Sequence, residues 1–249
     1  MADSFFSTDA LVLREVKYKE ADRILTLYSS KYGKITAKAA GALRKNSKIG
    51  AATQLLTYAD FELYSVKGRM MVKEAAVRED FGALRQDFAD YALGCYLAEC
   101  VEMHSEENNP DREVLQLILN SLYALSRKMA NPLLIKAAFE TRLISIMGYR
   151  PDLGACTVCG RREPEEPILG VESGHIFCRE CHRSDSDRIC YLDLDSLKSM
   201  RYIIDSPAKS FIPKDLSGES LKMLSECAEE YFVNHSGRYP GTLEYWKKL

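Results

Sequence analysis

Four cysteines arranged in two pairs are the residues of this sequence whose spacing most clearly predicts chemistry. Cys156 and Cys159 lie in "CTVCG", and Cys178 and Cys181 follow in "CRECH" after an interval of eighteen residues. Each Cys-x-x-Cys pair can place two thiolates on one cation through a tight turn, and two such pairs complete a tetrahedron of soft ligands suited to Zn²⁺. The interval is typical of zinc ribbons and fingers. We predict one Zn²⁺ ion with a structural role, because four protein ligands close the metal to substrate.

Other interpretations of the same cysteines are a redox pair or unligated thiols. His175 and His182 are close enough in sequence to act as alternative ligands. The remaining cysteines (Cys95, Cys100, Cys190 and Cys227) lie among apolar or helical residues and are predicted to be buried thiols.

Motifs for catalysis are otherwise weak in this sequence. "HSE" at His104 to Glu106, together with a downstream Cys-x-x-Cys, superficially matches the zinc deaminase signature, but Ala155 precedes the first pair where that signature has proline. The sequence contains no phosphate-binding Gly-x-x-x-x-Gly-Lys-Ser/Thr, no His-Glu-x-x-His and no Gly-x-Ser-x-Gly. A binding protein is therefore favoured over an enzyme.

The composition is that of a soluble globular protein. Of 249 residues, 46% are hydrophobic and 28% are charged, and this length suits two domains plus a small insert. No stretch of eighteen apolar residues occurs, and the N-terminal "MADSFFSTDALVLREV" lacks the pattern of a signal peptide. We expect a cytoplasmic protein without a membrane partner.

The first part of the sequence has the pattern of a small β-barrel. Five apolar, β-branched or aromatic runs alternate with turn segments: "DALVLREV", "RILTLYS", "GKITAKAA", "LLTYADFELYSV" and "RMMVKEAAV". Lys67-Gly68 suits a tight hairpin. The count of five predicts an OB-like barrel over residues 1–80, a fold whose face and loops bind extended oligonucleotides.

From residue 81 the hydrophobic period changes to about 3.6, which predicts a helical domain over residues 81–249. Asp111 is a candidate cap for one helix, while Gly148 and Gly237 are candidate stops for two others. The cysteine pairs interrupt this domain as an insert over residues 154–184, in which "GVESGHIFC" predicts a hairpin that turns at Ser173-Gly174. The fold class is thus α+β: a five-stranded OB-like barrel, then an all-α domain with an inserted four-cysteine zinc element. The first helix should bury one stripe, namely Phe88, Tyr91, Ala92, Cys95, Ala98 and Val101.

Charge is unevenly distributed along the chain. Residues 1–80 carry 14 Lys+Arg against 10 Asp+Glu, so a net +4, whereas residues 81–249 carry 20 against 26, so a net −6. Between Arg23 and Ala59 there are seven basic residues and no acidic one, with Tyr28 and Tyr32 among them and Tyr18 shortly before. Such a segment attracts a polyanion, and the flexible loop "GALRKNSK" suits phosphate contacts. A solvated basic face with half-buried tyrosines is the alternative.

Several segments resemble the RecO family of bacterial recombination mediators along nearly the full length. They are "TDALVLREVKYKEADRILTLYSSKYGKITAKAAGALRKNSK", "QLLTYADFELYSVKG", "VKEAAVRED", "MGYRPDLGACTVCG", "GHIFCRECH" and "YFVNHSGRYPGTLEYWKKL". The chain departs from the family at Leu55, where a proline usually follows the residue corresponding to Gln54. Some relatives lack the metal-binding cysteines, which agrees with a structural site.

The resemblance implies a nucleoid-associated protein that binds single- and double-stranded DNA and anneals complementary strands. It also implies that, with RecR, the protein helps RecA replace single-strand-binding protein, whose acidic C-terminal tail docks on the helical domain. The alternative function is a zinc-containing protein-interaction adaptor without DNA activity, which salt-dependent DNA binding would distinguish. Our candidate DNA contacts are Arg14, Arg23, Lys31, Lys34, Lys38, Arg44, Lys45 and Lys48.

Overall fold

A computed structural model describes residues 5–183, 187–214 and 216–249. The first four residues of the predicted barrel domain, and residue 184 at the end of the predicted insert, lie outside the described residues. The chain divides into two compact units. The first unit is Met1–Leu122 with Pro240–Leu249, and the second unit is Tyr123–Tyr239. A domain boundary at residue 80 stays a prediction.

Five strands in the first unit form a closed barrel with the order β1-β2-β3-β5-β4. They are β1 (Phe5–Tyr18), β2 (Asp22–Ser29), β3 (Gly33–Ala39), β4 (Tyr58–Val66) and β5 (Arg69–Glu79). Neighbouring strands pair antiparallel, except that β3 and β5 run parallel. The barrel and the helices that follow it confirm the predicted fold class.

Alternation along each strand separates the barrel core from the outer face. On β3, Ile35, Ala37 and Ala39 are buried, while the residues that alternate with them, Lys34, Thr36 and Lys38, are partly or fully exposed. This is the period of two expected of a half-buried strand. The hairpin predicted at Lys67-Gly68 is confirmed, since both residues have positive φ (50° and 76°), as a two-residue turn between twisted strands requires.

Six α-helices lie in the described part of the chain: α1 (Phe88–His104), α2 (Arg112–Ser126), α3 (Pro132–Ile146), α4 (Leu194–Asp205), α5 (Gly218–Ser236) and α6 (Gly241–Trp246). The predicted cap of α2 is confirmed, because the Asp111 carboxylate accepts hydrogen bonds from the backbone N–H of Glu113 and Val114. The predicted stop after α5 is also confirmed, since Gly237 is left-handed with φ 63°.

The predicted core stripe of α1 is wrong at its first residue. Phe88 is 60% exposed and its ring meets that of Tyr245 on α6 edge-on at 5.9 Å. Phe88 is the first residue of α1, so no turn of this helix precedes it. Ala92, Ala98 and Val101 of the same stripe are buried as expected.

The second unit combines α3, α4 and α5 with a three-stranded antiparallel sheet of order β7-β6-β8. The strands are β6 (Pro167–Gly170), β7 (Ile176–Cys178) and β8 (Ile189–Tyr191). The predicted hairpin is therefore confirmed, with Gly174 at φ 68° in its turn. The region is not all-α, however, because β8 adds a third strand that its short apolar run did not reveal. No helix among the described residues is long and apolar enough to cross a membrane.

Candidate nucleic-acid interface and metal centre

A groove of about 880 Å³ in the first unit is lined by residues of β1, β2, β3 and β5 and of the loop after α1. Its walls combine aromatic rings, cations and apolar side chains. They include Phe6, Tyr18, Lys19, Ile24, Tyr32, Lys34, Lys38, Arg69, Met70, Met71, Glu107 and Asn108. Cations that follow a phosphate backbone and rings that accept stacked bases are the two elements of single-strand binding.

Strand register sets the composition of one part of this groove, which we call the cationic end (Tyr18, Lys19 and Lys38). Lys38 lies opposite Ile24 on β2 and Met71 on β5. Its Nζ atom is 5.2 Å from the centre of the Tyr18 ring and 2.8 Å from a carboxylate oxygen of Asp22. Lys19 also approaches the Tyr18 ring, at 5.6 Å. The cationic end thus places two ammonium groups beside one exposed ring.

The beginning of β3 forms the opposite part of the groove, which we call the loop end (Phe6, Tyr32, Glu107 and Asn108). The rings of Phe6 and Tyr32 meet edge-on at 4.8 Å. Nearby, the Lys34 ammonium donates a hydrogen bond to the Glu102 carbonyl oxygen at 3.3 Å. The groove therefore changes character along β3, from cations at one end to rings and an acid at the other.

Two of the predicted DNA-binding residues, Lys34 and Lys38, line this groove. Arg14 lies outside it and is 3.5 Å from the Glu102 carboxylate. Lys31 borders a different cavity of about 360 Å³, among whose lining residues are four acids, and donates a hydrogen bond to the Ser7 carbonyl.

Arg23 has a structural role that its sequence position did not reveal. Its side chain is only 13% exposed, and its guanidinium lies 3.1 Å from the Glu15 carboxylate. It also donates hydrogen bonds to the Gly50 carbonyl at 2.9 Å and to the Thr53 hydroxyl at 3.0 Å. Arg23 thereby ties the segment between β3 and β4 to the barrel.

The connecting segment, residues 40–57, contains the predicted phosphate-binding loop and is joined to the barrel by hydrogen bonds and by buried alanines. The Leu43 N–H donates to the Ala21 carbonyl at 2.9 Å, and the Gly41 N–H donates to the Asp22 carboxylate at 2.8 Å. Ala42 and Ala52 are buried in the barrel core. Three predicted contacts stand exposed on this fixed segment: Arg44, Lys45 and Lys48.

The three tyrosines that accompany the basic segment differ in the exposure of their rings, and therefore in whether a base could stack on them. Tyr28 is buried and its hydroxyl donates a hydrogen bond to the Asp111 carbonyl, so its ring has no face for a base. Tyr18 is 42% exposed and lines the groove, as does the half-buried Tyr32. Lys19 and Arg69 also line the groove but were not among the predicted contacts, although Arg69 directly follows the Lys67-Gly68 turn and so marks a strand end beside the groove.

In the second unit, the two cysteine pairs meet. The sulfur atoms of Cys156, Cys159, Cys178 and Cys181 all lie within 4.8 Å of one another, and those of Cys159 and Cys178 are 3.6 Å apart. Four thiolates about 2.3 Å from one Zn²⁺ in a tetrahedron would be about 3.8 Å apart. The four sulfurs are therefore close enough to hold one metal ion.

Backbone turns and the β6–β7 hairpin build this cluster. The Gly160 N–H donates to the Cys156 carbonyl, and the Cys181 N–H donates to the Cys178 carbonyl, so each pair closes in a tight turn. The Cys178 N–H points at the Cys156 sulfur at 3.3 Å. Because Cys178 ends β7, the hairpin carries the second pair to the first.

The cysteines of the cluster differ in the pKa of their thiols. Burial opposes ionisation of Cys156, but N–H groups of Cys159, Cys178 and Val158 stabilise its thiolate and lower the pKa to about 6. Burial, then hydrogen bonds with the thiols of Cys159 and Cys156, raises the pKa of Cys178 to about 12. Thiolates gathered this closely repel one another, and a divalent cation would offset that repulsion. The donor set therefore fits a soft divalent metal.

Comparison with known proteins extends over both units. A family model described as "Recombination protein O N terminal" matches residues 1–78, and one described as "Recombination protein O C terminal" matches residues 85–244. A DNA repair protein RecO of Acetivibrio thermocellus is 32% identical over 246 residues, which cover 99% of this chain and 98% of that protein. Another, of Alkaliphilus metalliredigens, is 28% identical over 243 residues, which cover 97% of this chain and 98% of that protein.

Proposed function

Because the chain belongs to the RecO family of DNA repair proteins, we propose that its barrel binds single- and double-stranded DNA and anneals complementary strands. The groove lined by β1, β2, β3 and β5 is the observation that carries this proposal, since it joins the exposed Tyr18 ring to two ammonium groups. Such a surface binds backbone and bases with little sequence preference and with strong salt dependence.

The DNA contacts that we propose fall into two sets. Lys19, Lys34, Lys38 and Arg69 line the groove and would follow phosphates of a strand within it. A second set on the segment between β3 and β4 is exposed and would contact phosphates outside the groove: Arg44, Lys45 and Lys48. We leave Arg23 out, because its guanidinium already holds the barrel together.

Annealing by such a surface requires no covalent chemistry. Cations that neutralise phosphates on two strands reduce their mutual repulsion, and base pairing then supplies the free energy that joins the strands. We accordingly propose a non-enzymatic mediator in the cytoplasm, associated with the nucleoid.

Our proposal for partner proteins is supported by family membership alone. We propose that the protein acts with RecR to assist RecA in replacing single-strand-binding protein, and that the acidic tail of the latter docks on the helical region. We further propose that Cys156, Cys159, Cys178 and Cys181 bind one Zn²⁺, which would fix the β6–β7 hairpin in the second unit.

The experiment that tests DNA binding is fluorescence anisotropy of a labelled single-stranded oligonucleotide of mixed sequence, titrated at several salt concentrations. Lys38→Met removes a groove cation but keeps its apolar stem, and Lys31→Met makes the same change outside the groove. We expect steep salt dependence for the unmodified protein, with a slope reduced by about 0.7 for Lys38→Met and unchanged for Lys31→Met.

If both variants reduce the slope of the salt dependence equally, the interface lies outside the groove. No binding at low salt, with zinc fully loaded, would instead favour the protein-interaction adaptor, in which the charge of the barrel is incidental.

A further inference from the structure

The short loop after α1, residues 105–109, is fixed against the turn between β2 and β3. The Lys34 N–H donates to the Glu106 carbonyl at 3.0 Å, and the Asn108 N–H donates to the Tyr32 carbonyl at 3.0 Å. Glu107 forms β-bridges with Gly33 and Lys34. Gly33 makes this close approach possible, because a Cβ atom there would stand 2.6 Å from the Asn109 carbonyl oxygen. The loop is thus held to the barrel by its backbone.

This docking makes Glu107 part of the wall of the groove. Glu107 is exposed, and neither an ion pair nor a side-chain hydrogen bond joins its carboxylate to another residue in the part of the chain that the structure describes. Asp22, by contrast, is engaged by Lys38 at the cationic end. The carboxylate of Glu107 therefore remains available to a ligand in the groove.

An acid in a groove that binds DNA has a definite chemical preference. A carboxylate accepts hydrogen bonds and donates none, so it repels phosphate and attracts N–H groups of bases. Cytosine has an exocyclic amino group that donates a hydrogen bond readily to a carboxylate. The single N–H of thymine lies between two carbonyl oxygens, which repel a carboxylate. Phosphates should consequently lie toward the cationic end while a base edge faces Glu107.

The length of β3 allows both contacts at once. Lys34 and Lys38 are four residues apart, which corresponds to about 13 Å along a strand, or roughly four stacked nucleotides. A short single strand can therefore reach the cations and the loop end together.

We infer that Glu107 is a specificity-determining residue that selects bases with an exocyclic amino group, cytosine above thymine, at the loop end of the groove. This inference rests on the proposed DNA binding. It assigns a base preference to a surface whose other contacts are with phosphates and ring faces.

Homopolymer binding at pH 8 tests the inference, with labelled oligo(dC) and oligo(dT) of equal length as probes. Glu107→Gln keeps the size of the side chain but adds a donor that thymine carbonyls can accept. Glu106→Gln removes one charge from the same exposed loop without altering the groove wall, since Glu106 does not line it. We expect the unmodified protein to bind oligo(dC) about threefold to tenfold more tightly than oligo(dT). We expect this ratio to fall to about one in Glu107→Gln and to persist in Glu106→Gln.

If Glu107→Gln leaves the ratio of oligo(dC) to oligo(dT) affinity unchanged, the inference is overturned. This holds even if the loss of a negative charge raises the affinity for both homopolymers. Equal binding of both homopolymers by the unmodified protein would overturn it as well, and neither result would touch the proposed DNA binding. If the unmodified protein and Glu106→Gln bind neither homopolymer at low salt, both proposals fail together.

Discussion

Eight free cysteines of one chain occupy two kinds of environment. Four come together in the second unit with their sulfurs within 4.8 Å, because two tight turns and a hairpin hold them there. Of the remaining four, Cys100 and Cys227 are buried, as predicted, whereas Cys95 and Cys190 are only half-buried. Local spacing thus identified the cluster, while the burial of single cysteines depended on packing.

Replacing one cysteine of the cluster should abolish the metal site. Cys156→Ser and Cys178→Ser each remove a thiolate ligand, and metal binding contributes to folding. We expect both variants to lose bound zinc and to melt about 5–10 °C lower than the unmodified protein. Metal analysis of the purified protein and a thermal melt measure the two effects.

Cys190→Ser is the matched control, since Cys190 is a cysteine of the same unit outside the cluster. It should retain the metal. Unchanged zinc content in both Cys156→Ser and Cys178→Ser would refute the assignment of these ligands.

Among the structural elements, the contact between the β2–β3 turn and the loop after α1 is the one that shapes the groove. Gly33 has a φ of 65°, and a Cβ atom would lie 2.6 Å from the Asn109 carbonyl and 2.7 Å from the Glu106 carbonyl. Gly68 has a similar φ of 76°, but nothing lies within 4 Å of the position of its Cβ. Comparing alanine substitutions at these two positions therefore distinguishes the cost of backbone strain from the cost of a steric clash.

Gly33→Ala should destabilise the protein more than Gly68→Ala does. Both substitutions place alanine in the left-handed region, which costs about 1 kcal/mol. Only Gly33→Ala also pushes the Asn109 and Glu106 carbonyl groups away from β3, which adds roughly 1–3 kcal/mol. Urea unfolding of both variants measures the difference. Equal losses of stability would mean that the loop moves away from β3 at little cost.

At the scale of the whole molecule, the charge distribution decides which region attracts a polyanion. The net charge is −2, yet residues 1–80 carry 14 basic against 10 acidic residues. Three cations of this region stand exposed together on the segment between β3 and β4, namely Arg44, Lys45 and Lys48. A near-neutral protein can thus present a local basic surface.

Reversing these three charges should weaken DNA binding in a salt-dependent way. If each cation neutralises about one phosphate, changing Arg44, Lys45 and Lys48 to Glu should reduce the slope of log affinity against log salt by about 2 for single strands. Zinc content should not change. Anisotropy titrations at several salt concentrations measure the slope.

The matched control reverses three exposed lysines of the second unit: Lys209, Lys214 and Lys222. This control makes the same change in net charge. If it alters the slope as much as the barrel variant does, affinity depends on total charge rather than on the basic segment.

The sequence by itself determined the features that depend on local patterns. Alternating residues predicted the five strands, Lys67-Gly68 predicted the hairpin, and Asp111 predicted the cap of α2, because each needs only neighbours in sequence. The two cysteine pairs also belong here, since a tight turn sets the spacing within each pair.

Only the tertiary structure decided what each side chain faces. In sequence nothing distinguishes Arg23 from the other basic residues of its segment, or Tyr28 from the nearby tyrosines, yet both are engaged within the first unit. Lys136 is fully buried on α3 between Glu140 and Glu229, at 2.7 and 2.8 Å, although a helical lysine is usually exposed. The groove likewise joins residues of β1, β2, β3, β5 and the loop after α1. Contacts between residues so distant in sequence arise from packing, which local periodicity does not encode.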